Sequence, residues 1–250
     1  MANWQDPRTT TGVNPAAATV GVPRAARDAG LRSYMLSVYN YMASGVLLTG
    51  IIALLFANSS LMNLVVNTAT GQPTLLYWVA LFAPLGIVFG LSFGINRISA
   101  TTAQGLFWLY AALLGVALST LFLIYTGVSI AQTFFAVAAA FAGLSLWGYT
   151  TKKDLSGWGT FLIMGVVGLL VAMLINMFLQ SSAMAMAISA IGVLLFAGLT
   201  AYDTQRIKSI YYQVQGSEML GKTAILGALN LYLDFINMFQ FLLAFMGDRR

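Results

Sequence analysis

Asp203 and Asp234 are the residues of this chain best placed to do chemistry. Asp234 is the single charged residue in the apolar run 224–246. A carboxylate at the centre of a membrane helix costs about 2.5–3.5 kcal/mol on insertion scales, so an intramembrane acid is read first as a functional group. Asp203 closes the preceding apolar segment. Helical spacing puts Gly227, Asn230, Asp234 and Asn237 on one face of the last segment, a narrow polar stripe on an otherwise apolar cylinder. Ser189, Gly192, Thr200 and Asp203 share a face of the segment before it. Such stripes should face protein or a water-filled cavity rather than lipid, and the simplest arrangement packs them together in the centre of a bundle. Two facing carboxyls in a low dielectric tend to hold one proton between them and to titrate as a unit, which makes a proton sensor. Blander readings stay open. Asp203 could lie at the water interface, pairing with Arg206 or Lys208, and Asp234 could be a structural hydrogen-bonding group.

Other chemistry is largely excluded. The chain has no His and no Cys, which removes imidazole and thiol nucleophiles, zinc and haem ligation, and disulfides. An intramembrane aspartyl protease would also use two acids, and Tyr202-Asp203 superficially suits one. The second acid, in Leu231-Tyr-Leu-Asp-Phe235, lacks a glycine-rich active-site loop. The expectation is no enzyme and no tightly bound cofactor. Met164, Met173, Met177, Met184 and Met186 lack the repeated spacing of a copper path and read as packing residues.

The elements that must position the acids are membrane helices. Of 250 residues, 59% are hydrophobic and 8% charged, against about 25% charged in soluble domains. Residues 1–33 hold Arg8, Arg24, Arg27 and Arg32 but no apolar run, and read as a flexible cytoplasmic tail before a transmembrane domain at 34–250. Apolar stretches follow at 34–57, 75–95, 106–126, 129–148, 159–179, 184–202 and 224–246. Each approaches the roughly 20 residues a helix needs to cross hydrocarbon, and in lipid the backbone must satisfy itself as an α-helix. The fold expected is an all-α bundle of seven transmembrane helices. Asn40 and Asn176 are expected to make interhelical hydrogen bonds, and Gly86, Gly90 and Gly94 to form a strip for close helix approach.

Basic residues alternate between the connections. Arg97, then Lys152 and Lys153, then Arg206, Lys208 and Lys222 fall on one side with the amino-terminal tail. The segments 58–74, 127–128 and 180–183 carry no charge. The positive-inside rule places the basic side in the cytoplasm. Seven full crossings would leave Asp248, Arg249 and Arg250 outside, against that rule, whereas a last helix that dips and returns would leave them inside. The net charge of +5 is spread over these segment ends, so a lipid bilayer is the expected partner and nucleic acid is not.

Three stretches resemble a known family. Gly198-Leu-Thr-Ala-Tyr-Asp-Thr-Gln-Arg-Ile207 and Ala228-Leu-Asn-Leu-Tyr-Leu-Asp-Phe-Ile-Asn-Met-Phe239 are similar to the two carboxyl-terminal signatures of the Bax inhibitor-1 family. Thr150-Thr-Lys-Lys-Asp-Leu-Ser-Gly-Trp-Gly159 is similar to the loop before that family's fifth helix and looks most like its bacterial members. The resemblance implies a last helix wrapped by the other six and a proton-sensitive calcium leak gated by an aspartate pair, whose positions Asp203 and Asp234 occupy. Those two carboxylates would be the oxygen ligands of a passing calcium ion. The resemblance also implies a latch arginine after the second helix, where Arg97 stands, an inner-membrane location, and a modulating partnership with a membrane protease. Three functions therefore remain in play: a pH-responsive cation leak, a non-conducting regulator of other membrane proteins, and a proton-coupled transporter of a small solute.

Overall fold

The computed structural model describes residues 24–67 and 70–250. Among them are nine helices: α1 (Arg24–Ala57), α2 (Met62–Val65), α3 (Leu75–Gly94), α4 (Ala100–Leu118), α5 (Leu121–Ile124), α6 (Gly127–Thr150), α7 (Ser156–Leu179), α8 (Ser182–Val214) and α9 (Met219–Met246). Among the described residues seven spans are long and apolar enough to cross a membrane, with α4 and α5 forming one of them. The chain is a multi-pass α-helical membrane protein.

Local chemistry explains the boundaries. Ser99, Thr126 and Ser181 each cap the helix that follows, accepting from the N–H groups of Thr102, Ser129 and Met184. Gln180 ends α7 in the left-handed region at φ 51°. The α4–α5 span breaks where Ser119 and Thr120 turn their hydroxyls onto the carbonyls of Val116 and Ala117, at 2.6 and 2.8 Å. The segment expected to be a bare loop at 58–74 holds α2 and a short bridge from Val66 to Pro73.

Two boundaries differ from the hydropathy reading in ways that matter. Helix α1 begins at Arg24, not near residue 34, because Leu31, Tyr34 and Met35 bury one face against the bundle. The expected flexible tail otherwise lies outside the described residues. Helix α8 runs twelve residues past its apolar stretch, to Val214. Asp203 is therefore inside a helix and not at its end. The extension is amphipathic, with Thr204, Ile207 and Tyr211 buried while Arg206 is exposed.

Helix α9 is the most buried span, half of its apolar window lying inside the protein. It packs against α8 most extensively and also against α1, α6 and α4. Helices α3 and α7 stand further out, held chiefly by α4 and α8. The Gly86/Gly90/Gly94 strip is not a close helix approach: a Cβ at any of the three would meet open space. Met164, Met173, Met177 and Met186 are exposed on the outer face of α7 and α8 rather than packed, as suits a surface bathed in lipid.

The last helix crosses fully. It is continuous over 28 residues, about 42 Å at 1.5 Å per residue. The tail after it clasps the α5–α6 turn: Thr126 N–H donates to the Asp248 carbonyl at 3.1 Å, and Arg250 N–H to that of Ile124 at 2.9 Å. Asp248 N–H donates to Ser129 Oγ at 3.0 Å. Residues 248–250 thus share a side with an uncharged turn, and the dipping alternative is overturned.

Candidate functional site

Helices α8 and α9 bring the two polar stripes together. A Cβ on Gly192 of α8 would strike the ring of Phe241 on α9, and one on Gly227 of α9 would press on Ile207 of α8. Small residues at these points let the two backbones approach closely. Asp234 lies about 18 Å from the carboxyl-terminal end of α9, by helical rise, and is 4% exposed. Its Oδ2 makes no hydrogen bond. Asp203 is half-buried on the facing side of α8, close enough that its charge acts on Asp234. The cation that acts on Asp203 is Arg206, one turn further on, which is itself exposed. Lys208 is engaged elsewhere, donating to the Tyr149 carbonyl at 2.8 Å and lying over its ring. No ion pair neutralises either acid among the described residues.

The remaining sequence candidates are less involved. Asn237 donates to the Leu233 carbonyl of its own helix at 2.8 Å, and Asn230 is half-buried without a hydrogen bond. The Arg97 guanidinium is exposed in the α3–α4 turn and meets no carboxylate in this conformation. Asn40 is exposed on α1, and Asn176 accepts from Ser181 N–H at 3.1 Å beyond the end of its own helix. Neither makes the expected interhelical hydrogen bond.

Two hydroxyl networks escaped the sequence reading. Thr49 on α1 donates to the Ala111 carbonyl at 2.8 Å, so the Tyr232 hydroxyl, 2.6 Å away, must be the donor to Thr49. This ties α9 to α1 and α4 two residues before Asp234. The edges of Phe107 and Tyr110 close on the Tyr232 ring. On the other side, Thr204 donates to the Thr200 carbonyl at 2.7 Å, Ser145 therefore donates to Thr204, and Tyr39 to Ser145 at 2.7 Å. That chain binds α1, α6 and α8 beside Asp203. Single hydroxyls scattered through apolar helices carry no spacing signal, and only the packing aligns them. Next to this network the loop at 151–155 is held by the Gln205 amide, which accepts from Leu155 N–H and donates to the Lys153 carbonyl, both at 2.8 Å. In that loop the Ser156 hydroxyl and N–H hold the Asp154 carboxyl below the usual carboxylate range.

Among the described residues no group of three or more His, Cys, Asp and Glu side chains gathers as a resident metal site would. Two carboxylates fall well short of the 6–8 oxygens that hold calcium firmly.

The chain is 45% identical to inner membrane protein YbhL of Escherichia coli over 225 residues, covering 89% of this chain and 94% of that protein. It is 48% identical to an uncharacterised protein of Rickettsia prowazekii over 224 residues, covering 89% and 92%. A further uncharacterised protein, from Caulobacter vibrioides, is also 48% identical, over 89% of this chain and 91% of its own length. The family model described as inhibitor of apoptosis-promoting Bax1 matches residues 31–250, and with it the acid pair, its two helices and the clasped tail, so the chain belongs to that family.

Proposed function

We infer that this protein is a proton-sensitive leak for a hard cation, with calcium the ion its chemistry suits, controlled by Asp203 and Asp234. One observation carries the reading: Asp234 is buried at mid-helix with an unpartnered oxygen, beside a second acid and without a neutralising cation. A shared proton satisfies that arrangement by a strong carboxyl–carboxylate hydrogen bond between α8 and α9. Its loss leaves two like charges in a low dielectric, which drives the helices apart and offers oxygens to a hard cation. No catalytic step is needed. The basic loops support a cytoplasmic amino-terminal side, and the name of the Escherichia coli relative supports an inner-membrane location.

The test is calcium flux into liposomes holding the purified protein, measured across pH 6 to 8. Flux that rises with pH supports the leak. Flux that appears only with a gradient of a small organic solute supports proton-coupled transport instead.

A second reading has its own observation. Gly86, Gly90 and Gly94 on α3 present bare backbone to open space, a surface that suits close approach by a helix of another membrane protein. Absence of flux, together with stable co-purification of a membrane protease, would favour this regulator.

A further inference from the structure

Along the α8–α9 seam each helix contributes one glycine and one bulky apolar side chain. An ideal Cβ on Gly192 would fall 2.5 Å from Phe241 Cγ, so the α9 ring lies directly on bare α8 backbone. Phe196, one turn along α8, stacks on the same ring at 5.8 Å and 21°. The second contact reverses the roles. A Cβ on Gly227 of α9 would sit 3.2 Å from Cγ1 and Cγ2 of Ile207, an α8 residue that is 1% exposed.

Asp203 and Asp234 lie between these contacts. The order is Gly192, Asp203, Ile207 along α8 and Phe241, Asp234, Gly227 along the antiparallel α9. At 1.5 Å per residue the acids are about 10–17 Å from the first contact and about 6–11 Å from the second.

A cavity adjoins each contact on the side away from the acids. One turn beyond the Phe241 contact, Ser189 and Ala244 line a polar cavity of about 510 Å³ with Asn176, Gln180, Ser182 and Arg249. One turn beyond the Ile207 contact, Tyr211 and Ala224 line a cavity of about 390 Å³ with hydroxyls from Ser33, Ser37 and Thr101.

We propose that Phe241 on Gly192 and Ile207 on Gly227 are the outer and inner barriers of a permeation route along the α8–α9 seam, with the acid pair between them. This rests on the leak reading and says where that leak is closed. A constriction of ring and methyl carbons offers an ion nothing in exchange for its hydration shell, so it excludes ions while the helices stay together. A glycine seat suits a movable plug, because the ring or the isoleucine lies on flat backbone without an interlocking side chain.

The chain has no cysteine, so a single reporter can be placed between the two contacts. Thr200 lies between the two contacts on the Asp203 face of α8 and is 0% exposed. Thr200→Cys should resist a small cationic methanethiosulfonate added from either side of the membrane, while Ser189→Cys in the outer cavity should react from the outside. Adding Phe241→Ala should raise the rate at position 200 by an order of magnitude or more from the outside alone. Adding Ile207→Ala should do the same from the cytoplasmic side alone. Phe241→Leu keeps most of the apolar bulk but cannot lie flat on Gly192. It should give an intermediate rate, and it decides the matter if Phe241→Ala does not fold. Reaction of Thr200→Cys in the otherwise unaltered protein overturns the proposal, as does a folded Phe241 variant that leaves position 200 unreactive. The readout is accessibility, so barriers that open in a protein without calcium flux would refute the leak reading and leave the barriers standing.

Discussion

At the scale of residues, the decisive feature is a buried carboxyl with one oxygen unpartnered and a second acid beside it. Asp234→Asn cannot ionise yet keeps the volume and hydrogen-bonding capacity, so it should flatten the dependence of calcium flux on pH. Asp203→Asn should do the same. The double variant should add little to either single one, because groups in one titrating unit are not additive. Liposome flux for the three variants checks this, and simple additivity would separate the acids. Tyr232 offers a control two residues away. Tyr232→Phe removes the donor to Thr49, which still donates to Ala111. The expected cost is about 0.5–1.5 kcal/mol of stability, read as a lower melting temperature in detergent with the pH profile of flux unchanged.

At the scale of elements, helices differ in how closely they are held, and glycines report it. A Cβ at Gly148 on α6 would strike the Ala201 carbonyl of α8 at 2.3 Å, backbone against backbone. Gly148→Ala should therefore destabilise the fold by about 1–3 kcal/mol or more through overpacking, measured by thermal unfolding. Gly90 on α3 faces open space. Gly90→Leu should leave melting and monodispersity intact, and only a partner helix seated on that face would be displaced, as loss of co-purification. Arg97, in the turn after α3, engages no carboxylate in this conformation. If the turn closes on the acids during gating, Arg97→Ala should raise basal flux without altering insertion. An unchanged flux would make Arg97 a topology signal alone.

At the scale of the whole molecule, charge alternation predicts the direction in the membrane, and the clasp puts residues 248–250 beside the uncharged α5–α6 turn. Ser59→Cys and Ser182→Cys should be labelled by an impermeant reagent from outside, whereas Ser99→Cys should not. Arg250→Cys should behave like Ser182→Cys, because residues 248–250 pair with the α5–α6 turn. Labelling of Ser99→Cys from outside would invert the molecule.

Hydropathy alone determined the class and the seven spans, because in lipid each apolar stretch must satisfy its own backbone; it singled out Asp203 and Asp234 as candidates, because a carboxylate stands out against hydrocarbon. The shared faces of the two stripes also followed from helical period, and Gly192 and Gly227 do sit where α8 and α9 meet. Hydropathy failed where structure is set by packing. It ended the sixth stretch at residue 202, because polar residues begin there, yet α8 continues to Val214 by burying Ile207 and Tyr211 on one side. It read Gly86, Gly90 and Gly94 as a contact, although spacing cannot say whether a neighbour is present. The crossing of the last helix was undecidable from charge, since Arg249 and Arg250 break the rule that orients the rest, and only the clasp with the α5–α6 turn decided it. The seating of Phe241 on Gly192 was likewise invisible, because a phenylalanine in an apolar run looks like any other until a second helix is laid against it.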